Sequence, residues 1–417
     1  MIATSLPAKG STFEDVMGDL DRFLALEPDR RRGHMSCYAM KGGTELQRVL
    51  QAGYNKYFGF NALVRRYFPG YQEIEAEVLV TASSLLGGQA TGAVSAMTSG
   101  GTESIFCAVH AAREWARETR PEITEPEFVA PYSLHATFSK ACHYLGVKLR
   151  RTPVGPSFRG DPEAIASAIG PNTIGLAASA PCWSYGLYDP IRQIAAIAKE
   201  RGLWMHVDAC VGGFLAPFVR KAGHRLPEWD FGVEGVTSIS ADLHKFGFAA
   251  FPCSIVAFRD ESLLRFHHVF PDDWPSMKYM AQAFSGSRPA SSAVGAWTMF
   301  HYLGEDGYVQ LARETMEGKA RMAAGIAAIP GLRPWSTDLS ILVYESIDAA
   351  VPVEKIVGGL TSLGWPCGGT LSPPLVHLVM DPLAAGTVDE YLSDLRRVVE
   401  AIRAGQATET GSLSYVD

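Results

Sequence analysis

Three stretches of the chain hold side chains whose chemistries fit together. Lys245 lies in Ser238-Ile239-Ser240-Ala241-Asp242-Leu243-His244-Lys245-Phe246-Gly247-Phe248. Upstream, Asp208 closes the apolar run of His206-Val207-Asp208-Ala209, and further upstream stands the glycine-rich turn Ser99-Gly100-Gly101-Thr102-Glu103-Ser104. An amine can hold an aldehyde as a Schiff base. A carboxylate can keep a pyridine nitrogen protonated. A glycine turn opening a helix presents free N–H groups and the positive dipole end to a phosphate. Pyridoxal phosphate needs all three together.

Each piece also has an ordinary reading. The glycine turn could be a capped helix start, and Asp208 could cap the turn toward Gly212-Gly213. A lysine taken alone is most often a surface charge. His135, in Tyr132-Ser133-Leu134-His135-Ala136-Thr137, follows a strand pattern and starts a helix. There it could stack on a pyridine ring or be a satisfied core histidine. Phe246 and Phe248 beside Lys245 predict an amine pKa lowered by apolar surroundings.

The elements that must position these residues read as an α/β protein. Residues 12–26 form a helix with capping-box spacing at Ser11 and Glu14, residues 30–43 a loop holding the solvated cluster Arg30-Arg31-Arg32, and residues 46–58 a second helix. Helices are expected at 75–86, after the glycine turn, and at 191–201. Strands are expected at 128–132, 174–179, 203–207, 236–240 and 254–258. Short buried strands alternating with helices argue for a mostly parallel sheet covered on both faces. Long helices at 290–303 and 308–329 lead to a mixed C-terminal region with strands at 340–345 and 375–380 and a helix at 388–403. The partition is an N-terminal arm (1–60), a large domain (61–305) and a small C-terminal α+β domain (306–417).

Of 417 residues, 47% are hydrophobic and 19% charged, and the net charge is -7. The chain is globular, with no basic footprint for nucleic acid. Seven cysteines with no CxxC spacing disfavour a disulfide framework and a zinc site and fit a reducing cytoplasm. No apolar run is long enough to cross a bilayer, and no signal-peptide pattern is expected at the N-terminus.

With the residues placed, the chain resembles the fold-type I pyridoxal phosphate enzymes of the group II decarboxylase superfamily, and within it the sphingosine phosphate lyases. The matching stretches are Thr98 to Ser104, His206 to Phe214 and Ser238 to Gly247, with weaker matches around Phe68-Pro69-Gly70, Ser179-Ala180-Pro181 and Gly286-Ser287-Arg288-Pro289. The resemblance implies that Lys245 carries the cofactor, Asp208 pairs with the pyridine nitrogen and His135 stacks on the ring. It implies that Gly101, Thr102 and His244 hold the phosphate. Gly286 and Ser287 would reach it from a neighbouring subunit of a homodimer with shared sites. Tyr38, Tyr57, Asn61 and Phe251 become the substrate-side candidates. Two departures stand out. The lyases carry Asn-Pro-Leu-His where this chain has Asn61-Ala62-Leu63-Val64, and a second lysine where it has Phe251. The phosphorylated long-chain substrate is therefore not expected to carry over. The expected reaction is cleavage of a Cα–Cβ bond of an amine or amino acid, giving an aldehyde. Amino-acid decarboxylation is the alternative, with Arg65 or Arg288 as carboxylate clamp, and a non-catalytic cofactor-binding relative is a third reading.

Overall fold

A computed structural model describes residues 6–27, 34, 42–271, 273–276, 278–280, 283–406, 409–411 and 413. Tyr38 and the arginines at 30–32 lie outside the described residues.

Seven strands form the main sheet: β1 (Val94–Thr98), β2 (Glu127–Pro131), β3 (Lys148–Thr152), β4 (Thr173–Ser179), β5 (Trp204–Asp208), β6 (Ser238–Ala241) and β7 (Ser254–Phe258). Their spatial order is β1-β7-β6-β5-β4-β2-β3. Only β7 runs against its neighbours, antiparallel to both β1 and β6. The carboxyl ends of the other strands therefore share one edge, where open α/β sheets place their ligands. In the central pairs Ser179 stands opposite Asp208, and Asp208 opposite Ser240.

β4, β5, β6 and β7 are buried along their whole lengths, as an apolar strand covered on both faces must be. Alternation along β5 sends Met205 and Val207 into one core and Trp204 into the other, toward the helix Gly101–Thr119. His206 and Asp208 bracket Val207, and Asp208 shares the parity of Trp204. This period-2 rule fixes the face on which the strand presents its carboxylate.

The strands expected from sequence are present, within one or two residues. β1 and β3 were not expected. β1 is a short Val-Ser-Ala-Met-Thr segment without strong β-branched character. β3 is an edge strand whose Lys148 and Arg150 pair with Glu125 and Glu127, each at 3.0 Å, and edges carry charge of this kind. The first helix spans Phe13–Leu24, but its cap is one residue later than the Ser11/Glu14 spacing suggests. Thr12 Oγ1 accepts from Asp15 N–H (3.1 Å) and donates to the Asp15 carboxylate (2.7 Å). Its apolar residues, Phe13, Leu20 and Phe23 among them, are exposed.

The two expected long helices form one element, Ser291–Ala327, broken at Gly304, where φ is 56° and ψ is -175°. That left-handed φ suits glycine. Beyond it β8 (Leu332–Pro334), β9 (Ile341–Ser346), β10 (Gly368–Leu371) and β11 (Pro374–Val379) make an antiparallel sheet in the order β10-β11-β9-β8. Leu342, Tyr344, Val376 and Leu378 of this sheet pack against Ile356 and Leu395 of the helices Val353–Ser362 and Val388–Arg403. His377 on β11 stands at the seam: its Nε2 lies 2.8 Å from the Trp183 carbonyl, and the two rings are 4.6 Å apart.

Candidate active site

Residues that follow five strand ends converge on one cavity of about 370 Å³. β1 delivers Ser99, Gly100, Gly101 and Thr102; β2 delivers His135; β4 delivers Pro181 and Trp183; β5 delivers Asp208 and Cys210; β6 delivers Asp242, His244, Lys245 and Phe251. Of the residues singled out from sequence, this cavity gathers Lys245, Asp208, His135, Gly101, Thr102, His244 and Phe251. Asn61, Tyr57, Gly286 and Ser287 do not line it. Asn61 Nδ2 instead donates to Ser287 Oγ at 3.0 Å, and Tyr57 packs on Phe60 with ring centroids 5.1 Å apart.

Lys245 Nζ lies 2.9 Å from Asp242 Oδ2 and 6.0 Å from the centroid of the Trp183 ring. Burial alone would lower its pKa, but the Asp242 carboxylate outweighs this and the amine is held above the ordinary lysine value. The lowered value expected from the flanking phenylalanines is thus corrected. Phe246 and Phe248 are buried in the core, while an acid three residues earlier faces the amine.

Asp208 is buried, and its Oδ1 accepts from Cys210 N–H (3.1 Å) and lies 3.5 Å from Ser240 Oγ. Asp208 caps the following turn and lines the cavity. Beneath it the polar chain continues. His206 reaches Ser240 Oγ at 3.2 Å and Ser238 Oγ at 2.8 Å, and Trp204 Nε1 donates to Ser238 Oγ at 2.8 Å. Burial pushes His206 down to about 4 against the pull of Asp208, and burial likewise pushes His377 down to about 4. A histidine held below its unfolded value of 6.5 takes up a proton on unfolding. Stability is therefore present above that value and lost as pH falls from about 6.5 toward 4. Melting temperatures are expected to drop across this window, with His377→Asn flattening the drop; a wild-type profile level throughout would contradict it.

His135 accepts from Thr137 N–H through Nδ1 (3.2 Å), and burial lowers its pKa. The His244 ring lies 4.2 Å from the Phe251 ring, and its Nδ1 accepts from Cys253 N–H (3.2 Å).

The glycine turn starts an uncapped helix and packs closely against Cys210 and Asp242. Gly100 offers no side-chain cap to the helix Gly101–Thr119, so its first N–H groups are not taken by a capping side chain. A Cβ on Gly101 would meet Cys210 Sγ at 2.6 Å and both Asp242 oxygens at 3.1 Å.

Two buried acids were not anticipated from sequence. Asp242 is one. Glu103 is the other: it accepts from Ser99 N–H (2.7 Å), Phe284 N–H (2.7 Å) and Ser285 N–H (3.1 Å), fastening the glycine turn to the segment that carries Gly286 and Ser287. Removing it leaves three backbone donors unpaired. Glu103→Ala is expected to weaken cofactor binding by at least about tenfold, or ~1.4 kcal/mol, as read by cofactor titration; an unchanged Kd would contradict the role.

The family model of the pyridoxal-dependent decarboxylase conserved domain matches residues 1–330. The chain belongs to this family. A sphingosine-1-phosphate lyase from Arabidopsis thaliana is 36% identical over 84% of the chain, which spans 64% of that relative's length. A probable L-tyrosine/L-aspartate decarboxylase from Methanothermobacter thermautotrophicus is 31% identical over 81% of the chain and 89% of its own. The solved sphingosine-1-phosphate lyase of Burkholderia pseudomallei superposes with a TM-score of 0.92 at 31% identity, covering 97% of this chain and 94% of that one. The fold is therefore that of the fold-type I pyridoxal phosphate enzymes, the cofactor is pyridoxal phosphate, and the chain is a lyase that depends on it. The uncapped helix start at Gly101, the amine and the buried carboxylate, which line one cavity, fit that group. Among the described residues no helix is long and apolar enough to cross a membrane.

Proposed function

We propose that the chain cleaves the Cα–Cβ bond of a β-hydroxy amine or amino acid, releasing an aldehyde and a smaller amine. The observation that carries this reading is the meeting of Lys245 and Asp208 in one cavity with the glycine turn. The resemblance to lyases selects the bond. When bound, pyridoxal phosphate supplies an electron sink for the bond broken at the substrate's α-carbon. Lys245 would hold the cofactor, Asp208 would pair with its pyridine nitrogen and keep it protonated, and His135 would stack on the ring. Gly101, Thr102 and His244 would hold the phosphate. Lys245 Nζ then moves the proton from the β-hydroxyl.

Gly286 and Ser287, the latter bonded to Asn61 and not lining this chain's own cavity, serve the phosphate of a neighbouring subunit in a homodimer, and Tyr57 approaches the substrate there. Exposed Phe58, Phe60, Tyr67 and Phe284 support such an interface. The dimer works in the cytoplasm.

Decarboxylation is the second reading, favoured by the Methanothermobacter relative. It needs a cation for the substrate carboxylate, and no arginine lines the described cavity. Arg65 and Arg288 instead gather around buried Glu75, at 2.6 and 3.8 Å. Incubation with a panel of amino acids and β-hydroxy amines, assayed for both aldehyde and carbon dioxide, tests the choice. Aldehyde is expected, and carbon dioxide alone would overturn the lyase reading.

Phe251, half-exposed at the cavity wall, stands where the lyases carry a cation. Phe251→Lys is expected to shift kcat/KM toward phosphorylated over unphosphorylated amines by about tenfold, the scale of one partly exposed charge-assisted contact. An unchanged ratio would remove Phe251 from substrate selection.

A further inference from the structure

The roles above leave the lysine's own partner without one. We infer that Asp242 is a positioning residue that fixes Lys245 Nζ at the cavity floor and is itself fixed by a relay of buried hydroxyls. This rests on the reading of Lys245 as the cofactor's anchor.

The geometry starts at the end of β6. Asp242 is 3% exposed, with Oδ2 2.9 Å from Nζ. Its other oxygen, Oδ1, lies 2.6 Å from Ser254 Oγ on β7. Ser254 Oγ lies 2.9 Å from Ser104 Oγ on the helix behind the glycine turn, and Ser104 Oγ lies 2.6 Å from Thr98 Oγ1 at the end of β1. All three hydroxyl residues are buried. A hydroxyl has one proton to donate. If Thr98 donates to Ser104, Ser104 to Ser254 and Ser254 to Oδ1, the row ends on an acceptor. Ser254 Oγ also lies 2.9 Å from the Ala241 carbonyl, but the carboxylate is nearer and charged, and so is the stronger acceptor. The relay ties β1, the helix, β7 and β6 to one carboxylate oxygen and leaves the other for the amine.

The consequence concerns the amine before the cofactor arrives. Apolar walls would favour a free base, but a buried carboxylate at contact distance favours the ammonium. The lysine therefore waits charged and aimed, not neutral and mobile. Once Nζ is engaged elsewhere, Asp242 keeps the Ser254 hydroxyl on Oδ1.

The test reads the amine directly, in the full-length protein freed of cofactor. Reductive methylation of Lys245 by labelled formaldehyde and cyanoborohydride, followed by peptide mass spectrometry, is measured from about pH 7 to about pH 10. In the wild type the rate should climb about tenfold per pH unit without levelling. In Asp242→Asn it should level off within this range, below about pH 9, and Asp242→Glu should restore the climb. A wild-type rate that levels below about pH 9, or an Asp242→Asn profile that overlays the wild type, overturns the inference. Should Asp242→Asn fail to fold, a wild-type rate that levels below about pH 9 still overturns the inference. Covalent fixation of the cofactor is a separate readout, so a failed anchor assignment and a failed role for Asp242 are told apart.

Discussion

Lys245→Ala, incubated with pyridoxal phosphate and borohydride, is expected to retain no covalently fixed cofactor, and its turnover to fall by more than about a thousandfold, the scale of deleting a covalent nucleophile. Lys245 supplies the one lysine amine among the residues that line the described cavity. The variant also strips Asp242 of its ammonium at 2.9 Å, and a buried carboxylate left unpaired is destabilising. Lower thermal stability alone could then mimic the loss. Lys245→Arg separates the two effects. A guanidinium keeps a cation beside Asp242 but is not a nucleophile at neutral pH. It should recover most of the melting temperature and none of the fixation. Fixation persisting in both variants would place the anchor elsewhere and remove the basis of the mechanism.

That Lys245, Asp208 and His135 share one cavity was legible in the sequence because each lies at or just after the end of an expected strand, and strand ends in a parallel sheet lie on one edge; the glycine turn was read only as a helix start, since β1 before it was not expected. Position along the chain was enough for that. The electrostatics of the lysine were not legible from its flanking residues. Neighbours at i+1 and i+3 suggested an apolar setting, yet Phe246 and Phe248 turn into the core, and what faces Nζ is the side chain at i−3. A signal was available. Asp242 is an acid directly after an apolar strand, inside the same stretch as Lys245, and such an acid needs a partner. Glu103 offered less. Its partners Phe284 and Ser285 are 181 and 182 positions away, and no local pattern announces a carboxylate that binds backbone donors at that separation. Asn61 and Ser287 show the same limit: 226 positions apart, they meet each other and not the cavity. A reading along the chain could group them with the site but not assign them to an edge of it.

Asp208→Asn carries the second large expectation. The amide oxygen can still accept from Cys210 N–H, so the turn after β5 should hold, and the side chain keeps its size. What disappears is the negative charge facing the cavity. Cofactor should still become fixed to Lys245 on borohydride treatment, because the anchor lies on β6's turn and not on β5. Turnover should nevertheless fall by roughly a hundred- to a thousandfold, the scale of removing one preorganised electrostatic contact from a buried site. The support beneath Asp208 sharpens the test. Ser240, His206, Ser238 and Trp204 form a buried row that orients the carboxylate from below, and none of the four lines the cavity. Ser240→Ala should therefore lower turnover in the same direction but by less than Asp208→Asn, since it loosens the carboxylate without removing its charge. If Asp208→Asn kept turnover within about tenfold of the wild type while Ser240→Ala lowered it further, the charge at 208 would not be what keeps the heterocycle protonated.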